Sequence, residues 1–125
     1  MSGIKVYNVR NEERYGPNVF YCGRGSALGN PYTHLKGRDT KAKYVVRDRD
    51  EAISRYDSYF DVMYGSNIEF TKAVEEIYEQ YRNGEDVYLG CYCKPQPCHC
   101  DVIVNKLRSR LIKEKLDNRK ISKKC

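Results

Sequence analysis

The sequence predicts a small single-domain α/β protein: a mostly parallel sheet covered by helices, in Rossmann-like or flavodoxin-like layering. Three observations carry that prediction. The inferred order of elements is strand, strand, loop, helix, helix, strand, helix, an alternation that favours helices packed on a sheet. Two of the helices open on capping signatures at Asp48–Glu51 and Ser66–Glu69. Asp86–Cys91 is an apolar run short enough for a strand and hydrophobic enough to lie centrally in a sheet. Residues 1–112 make up the domain, and residues 113–125 a basic tail or helix end.

The elements follow in order. Ile4–Val9 alternates apolar and polar residues and reads as the first strand. Glu12–Pro17 is a polar turn, and Val19–Cys22 a second short strand. From Gly23 to Lys43 no period is sustained and Gly, Pro, Asn and Thr are frequent, which predicts a long functional loop. At Asp48 a side-chain oxygen can accept an orphan amide while Glu51 reaches back. Ala52, Tyr56, Tyr59, Phe60 and Met63 then recur at helical spacing, and Gly65 stops that helix. Phe70, Ala73, Val74, Ile77 and Tyr81 form the stripe of the next helix, which Asn83-Gly84 ends through a left-handed residue. Pro95 and Pro97 terminate the last strand. A third helix begins near Cys98, with Cys100, Ile103, Leu107 and Leu111 on one face.

Composition narrows the class. The 125 residues are 32% charged and 40% hydrophobic, a balance that suits a folded globule rather than a disordered chain. No run approaches the roughly 20 apolar residues of a spanning helix, so no membrane partner is expected. Met1–Val6 lacks a signal-peptide core, so a cytoplasmic location is expected, with the six cysteines in a reducing setting. The net charge of +6 is uneven: residues 113–125 carry six basic and two acidic side chains. Nucleic acid is therefore a candidate partner of the tail, but not the favoured one, because no nucleic-acid motif accompanies the charge.

Cys91–Asp101 is the most unusual stretch. Cys91 and Cys93, two apart on a strand, point to one face; a double proline turns the chain, and Cys98–Asp101 open a helix. In α/β sheets ligands gather at the carboxyl ends of strands, and helix N-termini suit anions. A thiol there beside a histidine can be acidified, so Cys93 or Cys98 is a candidate nucleophile, His99 its acid–base partner and Asp101 an orienter. A metal reading competes: Cys91, Cys93, Cys98 and His99 are a candidate zinc set, although all lie within ten residues. Structural cysteines around an anion-binding turn are the third reading, and Cys100, on the apolar helix face, is expected to be buried as a small hydrophobe.

A second cluster, Tyr21–Pro31, follows the second strand. Gly23, Gly25 and Gly29 permit close backbone approach or positive φ; Arg24 can take phosphate or carboxylate, and Ser26 and Asn30 add neutral partners. The spacing is neither that of a P-loop nor that of a dinucleotide fingerprint. An ordinary tight turn is the competing reading.

Together these blocks resemble the bacterial and phage family known as domain of unknown function 4326. The resemblance rests on Val6-Tyr7-Asn8, Tyr21–Pro31, Arg49–Ile53 with Tyr56, Leu89, Cys91–Cys93, Pro95, Pro97–His99 and Asp101–Ile103, and spans residues 4–107. It carries over to Gly23, Arg24, Ser26, Gly29, Asn30, Pro31, Cys93, Pro97, Cys98, His99 and Asp101. It implies a small α/β fold, a phage-encoded origin and hence a host cytoplasm, but no settled activity. Cys91 and Cys100 fall outside the family pattern, which counts against a four-cysteine metal centre, and the segment between Tyr32 and Arg47 is peculiar to this chain.

The expected function is binding of a small phosphorylated, nucleotide-like ligand in a cleft between the two clusters. Tyr21, Gly23, Arg24, Gly25, Ser26, Gly29 and Asn30 would hold it, with tyrosine rings offering stacking surface for a base. A Cys/His enzyme acting on a nucleoside or nucleotide, a factor sequestering a host signalling nucleotide or binding a host protein, and a small zinc-binding module are the alternatives. No cofactor other than zinc is expected.

Overall fold

Two strands flank a third at the centre of a parallel sheet. The computed structural model describes residues 3–33, 44–92 and 96–123, with side chains as far as residue 117. In chain order the elements are β1 (Ile4–Asn8), β2 (Val19–Tyr21), β3 (Tyr32–Thr33), β4 (Tyr44–Val45), α1 (Arg49–Met63), α2 (Ile68–Arg82), β5 (Val87–Cys91) and α3 (His99–Lys123). The sheet order is β1-β5-β2, all parallel, with Val6 and Phe20 both in register with Leu89. The expected α/β layering, a parallel sheet covered by helices, is what the chain adopts. β5 is the middle strand, as its apolar character implies.

Alternation along the strands separates two faces. Ile4, Val87, Leu89 and Cys91 point into the core, where they meet Phe60, Phe70, Val74, Ile77, Ile103 and Leu107 from the helices. Lys5, Tyr7, Tyr21 and Tyr88 alternate to the other face. Because β1 and β2 lie on opposite sides of β5 and run the same way, the chain between them must return across the sheet. Arg14 from this return lies 3.8 Å from the centre of the Tyr88 ring.

The capping chemistry holds as expected for α1: Asp48 accepts from the Glu51 amide at 2.8 Å, while the Glu51 carboxylate accepts from the Arg47 amide at 2.8 Å. For α2 the cap is Asn67, accepting from Phe70 at 2.9 Å. Gly65 and Gly84 adopt φ of +88° and +90° just beyond α1 and α2, the left-handed conformation that ends a helix. Several details differ from the expectation. The first strand ends at Asn8, one residue early, and the cap of α2 is one residue later than Ser66. The second strand stops at Tyr21, one residue early, because Cys22 begins the glycine turn. The long loop contains a short parallel pair, β3 with β4, over which the Tyr32 and Tyr44 rings stack at 5.2 Å. Residues 34–43 lie outside the described residues. α3 continues through residue 123, so the basic segment from residue 113 is helical over most of its length.

Phe70 is fully buried, with the Phe60 and Tyr59 rings edge-on at 5.2 and 5.9 Å. Phe70→Ala is expected to destabilise the domain by about 3–5 kcal/mol in urea unfolding. Val62→Ala, at a position 70% exposed, should stay within about 0.5 kcal/mol of wild type.

Candidate functional site at the carboxyl ends of the strands

The end of β5 holds both neighbouring chains. The Gly90 carbonyl accepts from the Cys22 amide and the Cys91 carbonyl from the Val9 amide, each at 2.9 Å. The strand alternation runs on past β2, so Tyr21 faces outward and Cys22 inward, where it is completely buried.

Beyond Cys22 the backbone folds into two consecutive turns. The Gly23 carbonyl accepts from the Ser26 amide and hydroxyl, and the Ser26 carbonyl from the Gly29 amide. Gly25 sits at φ +93°, a conformation a side chain strongly disfavours. At Gly29 a Cβ would come within 2.7 Å of the Gly23 carbonyl oxygen, so two stretches of backbone approach here as only glycine allows. The turn is anchored from behind. Leu28 inserts into the core and its carbonyl accepts from the Tyr56 hydroxyl at 2.7 Å. Asn30 is buried, donating to the Ala52 carbonyl and accepting from the Tyr32 amide. Asn30 therefore ties the loop to α1.

Arg24 is held in place: an Nη2–H donates to the Tyr32 carbonyl at 2.8 Å. Its Nε–H is buried and has no hydrogen-bond partner among the described residues. The outer surface of the turn forms one wall of an open hollow of about 460 Å³, lined by Val9, Tyr21, Arg24, Gly25, Ser26 and Tyr92. Hollows of this size accept small molecules. The Tyr21 and Tyr92 rings meet edge-on at 6.0 Å, and the Arg10 guanidinium lies 5.1 Å from the centre of the Tyr92 ring. Burial, together with the neighbouring Tyr92, pushes the Tyr21 phenol above its ordinary value, so it stays a neutral donor.

The inner side of the turn is different chemistry. The Cys91, Cys98 and Cys100 sulfurs all lie within 4.8 Å of one another, fully buried, and this triad could hold a metal ion. The Cys22 thiol donates to the Phe20 carbonyl at 3.7 Å. The neighbouring thiols of Cys22, Cys91 and Cys98, together with burial, push the Cys100 thiol well above its ordinary value. His99 packs its ring 4.9 Å from that of Tyr56 and places Nε2 2.5 Å from the Cys22 carbonyl oxygen. A carbonyl can only accept, so Nε2 carries the proton. At the start of α3 the Cys98 amide donates to the Asp101 carboxylate at 3.0 Å, and the Cys100 amide to the Cys98 sulfur at 3.2 Å.

The two sequence clusters are thus brought into direct contact. Of the expected ligand-binding residues, Tyr21, Arg24, Gly25 and Ser26 line the hollow, whereas Gly23, Gly29 and Asn30 shape the turn behind it. Of the expected catalytic residues, Cys98 and His99 are buried at 2% and 7% exposure beneath the turn. Asp101 caps the first turn of α3, and Cys93 lies outside the described residues. Among the described residues, the sulfurs that converge are those of Cys91, Cys98 and Cys100, with His99 bonded to a carbonyl. Sequence reasoning missed Val9, Arg10 and the inward thiol of Cys22. Only the last had a signal, since a residue following an outward Tyr21 must point inward.

A small parallel α/β domain with a glycine turn and a buried thiol cluster at its strand ends is the class these features define. The family model described as domain of unknown function DUF4326 matches residues 6–109, and the chain belongs to that family. No curated protein and no solved structure matches the chain.

Gly29→Ala is expected to destabilise the domain, by about 1–3 kcal/mol on the scale of strained or overpacked sites, because the obstructing atom is backbone; thermal unfolding checks it. Cys22, Cys91, Cys98 and Cys100 should alkylate at neutral pH only as fast as the domain opens. Rapid labelling of any of the four in the folded protein, followed by mass spectrometry, would contradict the burial described above.

Proposed function

We propose that the protein binds a small phosphorylated, nucleotide-like ligand in the hollow at the strand ends, with a phosphate on Arg24 and a base against Tyr21 and Tyr92. The observation that carries this is the state of Arg24. One donor is committed to the Tyr32 carbonyl, which holds the guanidinium still on the wall of the hollow. A positioned guanidinium beside an open hollow is suited to an anion. Two tyrosines, 46% and 51% exposed, offer the sequence-tolerant stacking surface a base requires. None of the described residues lining the hollow is a thiol or a histidine, which supports binding over turnover.

The zinc-binding module is a second reading, supported by one observation: three buried sulfurs within 4.8 Å of one another. It concerns the inner side of the turn and is compatible with ligand binding on the outer side.

Calorimetry against a panel of nucleoside mono-, di- and triphosphates tests the first reading. A hydrogen bond to a charged group contributes about 1.5–3 kcal/mol, so Arg24→Ala should weaken binding roughly tenfold or more. Arg108→Ala, at an exposed position on α3, should leave it unchanged. Absence of heat with the whole panel, or equal affinity in Arg24→Ala, would end the proposal.

A further inference from the structure

We propose that the outer face of the sheet binds single-stranded nucleic acid, with bases stacked on the rings of Tyr7, Tyr88 and Tyr92 and phosphates beside Arg10 and Arg14. This strip extends past the small-ligand hollow, with which it shares Tyr21, Tyr92 and Arg24, and does not depend on it. A parallel sheet is normally covered by helices on both faces. Here all three helices bury their apolar faces on the inner side, against Ile4, Val87 and Leu89. The outer side is left to Lys5, Tyr7, Tyr21 and Tyr88, over which the return chain between β1 and β2 lays Arg14. An uncovered face of this kind marks an interaction surface.

The parallel register sets these residues in rows. Lys5, Tyr88 and Val19 share one row, and Tyr7, Gly90 and Tyr21 the next. Successive rows on one face are two residues apart, about 6.6 Å. A Cβ at Gly90 would come within 3.1 Å of the Tyr7 hydroxyl and 2.8 Å of Val9. The Tyr7 ring therefore reaches across the central strand, through space that a side chain would fill. Tyr21 and Tyr92 continue the strip at the strand ends, 46% and 51% exposed. Arginines accompany the rings along its length. Arg14 lies 3.8 Å from the centre of the Tyr88 ring and 6.0 Å from that of Tyr7, and Arg10 lies 5.1 Å from that of Tyr92. A guanidinium on a ring adds a plane for stacking and keeps its full charge. Lys5, Arg10, Arg14 and Arg24 stand against Glu12 and Glu13, of which Glu12 pairs with Arg14, so the strip is net positive. Rings interleaved with cations meet the two needs of a single strand, a surface for each base and a counter-charge for each phosphate. A duplex keeps its bases stacked on one another and offers these rings nothing to hold. An apolar protein face would bury the guanidinium groups unpaired, which is costly.

Fluorescence anisotropy of the full chain with labelled single strands of about 12 nucleotides, one DNA and one RNA, and with the matching duplexes tests this. A single strand is expected to bind at least about tenfold more tightly than its duplex, and the tighter of the DNA and RNA arms identifies the polymer. Tyr88→Leu should weaken single-strand binding by about fivefold or more, whereas Tyr88→Phe should keep it. Arg14→Gln should lower the slope of log affinity against log salt by about 0.7. Neutralising the basic end of the chain with Arg119→Gln, Lys120→Gln, Lys123→Gln and Lys124→Gln together should leave the preference for single strands intact. No binding of either single strand, equal binding of the duplex, or a preference lost with the basic end but kept in Tyr88→Leu would overturn the proposal. Should Tyr88→Leu fail to fold, photocrosslinking of wild type to the bound strand decides: adducts are expected on Tyr7, Tyr88 or Tyr92, and adducts confined to other residues would refute it. Nucleotide calorimetry reads the hollow separately. Single-strand binding without mononucleotide binding upholds this inference alone, and mononucleotide binding without single-strand binding removes it and leaves the small-ligand reading in place.

Discussion

The backbone of Cys22 is clamped on both sides, and the rest of the site depends on that clamp. Its amide donates to Gly90 on the central strand, and its carbonyl accepts from His99 at the start of α3. Leaving such a buried group unsatisfied costs about 1–3 kcal/mol, so the two bonds are strongly favoured once the core forms around them. They bring residue 22 to residues 90 and 99, both far from it in the chain, at one point. The glycine turn therefore leaves the sheet at a set angle, and α3 begins against it. Tyr56, against the His99 ring and bonded to the Leu28 carbonyl, braces the same junction from α1.

From that junction the turn presents two unlike sides. Its outer side is polar and aromatic, with Arg24, Tyr21 and Tyr92 lining a hollow. Its inner side is a buried cluster of thiols. Strand alternation is the cause: consecutive residues at the end of β2 point to opposite faces, so Tyr21 and Cys22 belong to different chemistries. The proposed ion among the Cys91, Cys98 and Cys100 sulfurs and the proposed ligand beside Arg24 would occupy different sides and share no residue. Membership of the family described as domain of unknown function DUF4326 assigns no activity, and the fold by itself does not either, which leaves the argument to the site.

Much of the architecture was legible from local chemistry. Asp48 with Glu51, and Asn67 ahead of the Phe70 stripe, start α1 and α2 through side-chain oxygens that any reader of the chain can see. Gly65 and Gly84 stop those helices, since a left-handed residue is needed there. The apolar run ending at Cys91 is the central strand because both its neighbours and the helices take its surface out of water. The short β3–β4 pair was not legible: Tyr32 and Tyr44 are brought together by stacking across an intervening segment with no sustained period. The continuation of α3 through the basic segment was read only as an alternative to a tail, since solvated helical residues carry no apolar signal there.

For the site, the residue types pointed to the right two segments, because glycine, proline and cysteine are unusual enough in such density to announce themselves. Which atoms meet was a different matter. That Asn30 anchors the loop to α1 instead of facing a ligand, that His99 spends its proton on a carbonyl, and that Cys100 joins Cys91 and Cys98 are consequences of chain segments crossing at β5. Sequence by itself determined the elements, their caps and the chemical inventory, since these depend on neighbours a few residues away. Tertiary structure alone decided which side of the turn each group faces and which thiols converge. Those outcomes depend on how the glycine turn, α1 and the start of α3 meet at the end of β5, through bonds such as Cys22 to Gly90 and His99, which no local pattern encodes.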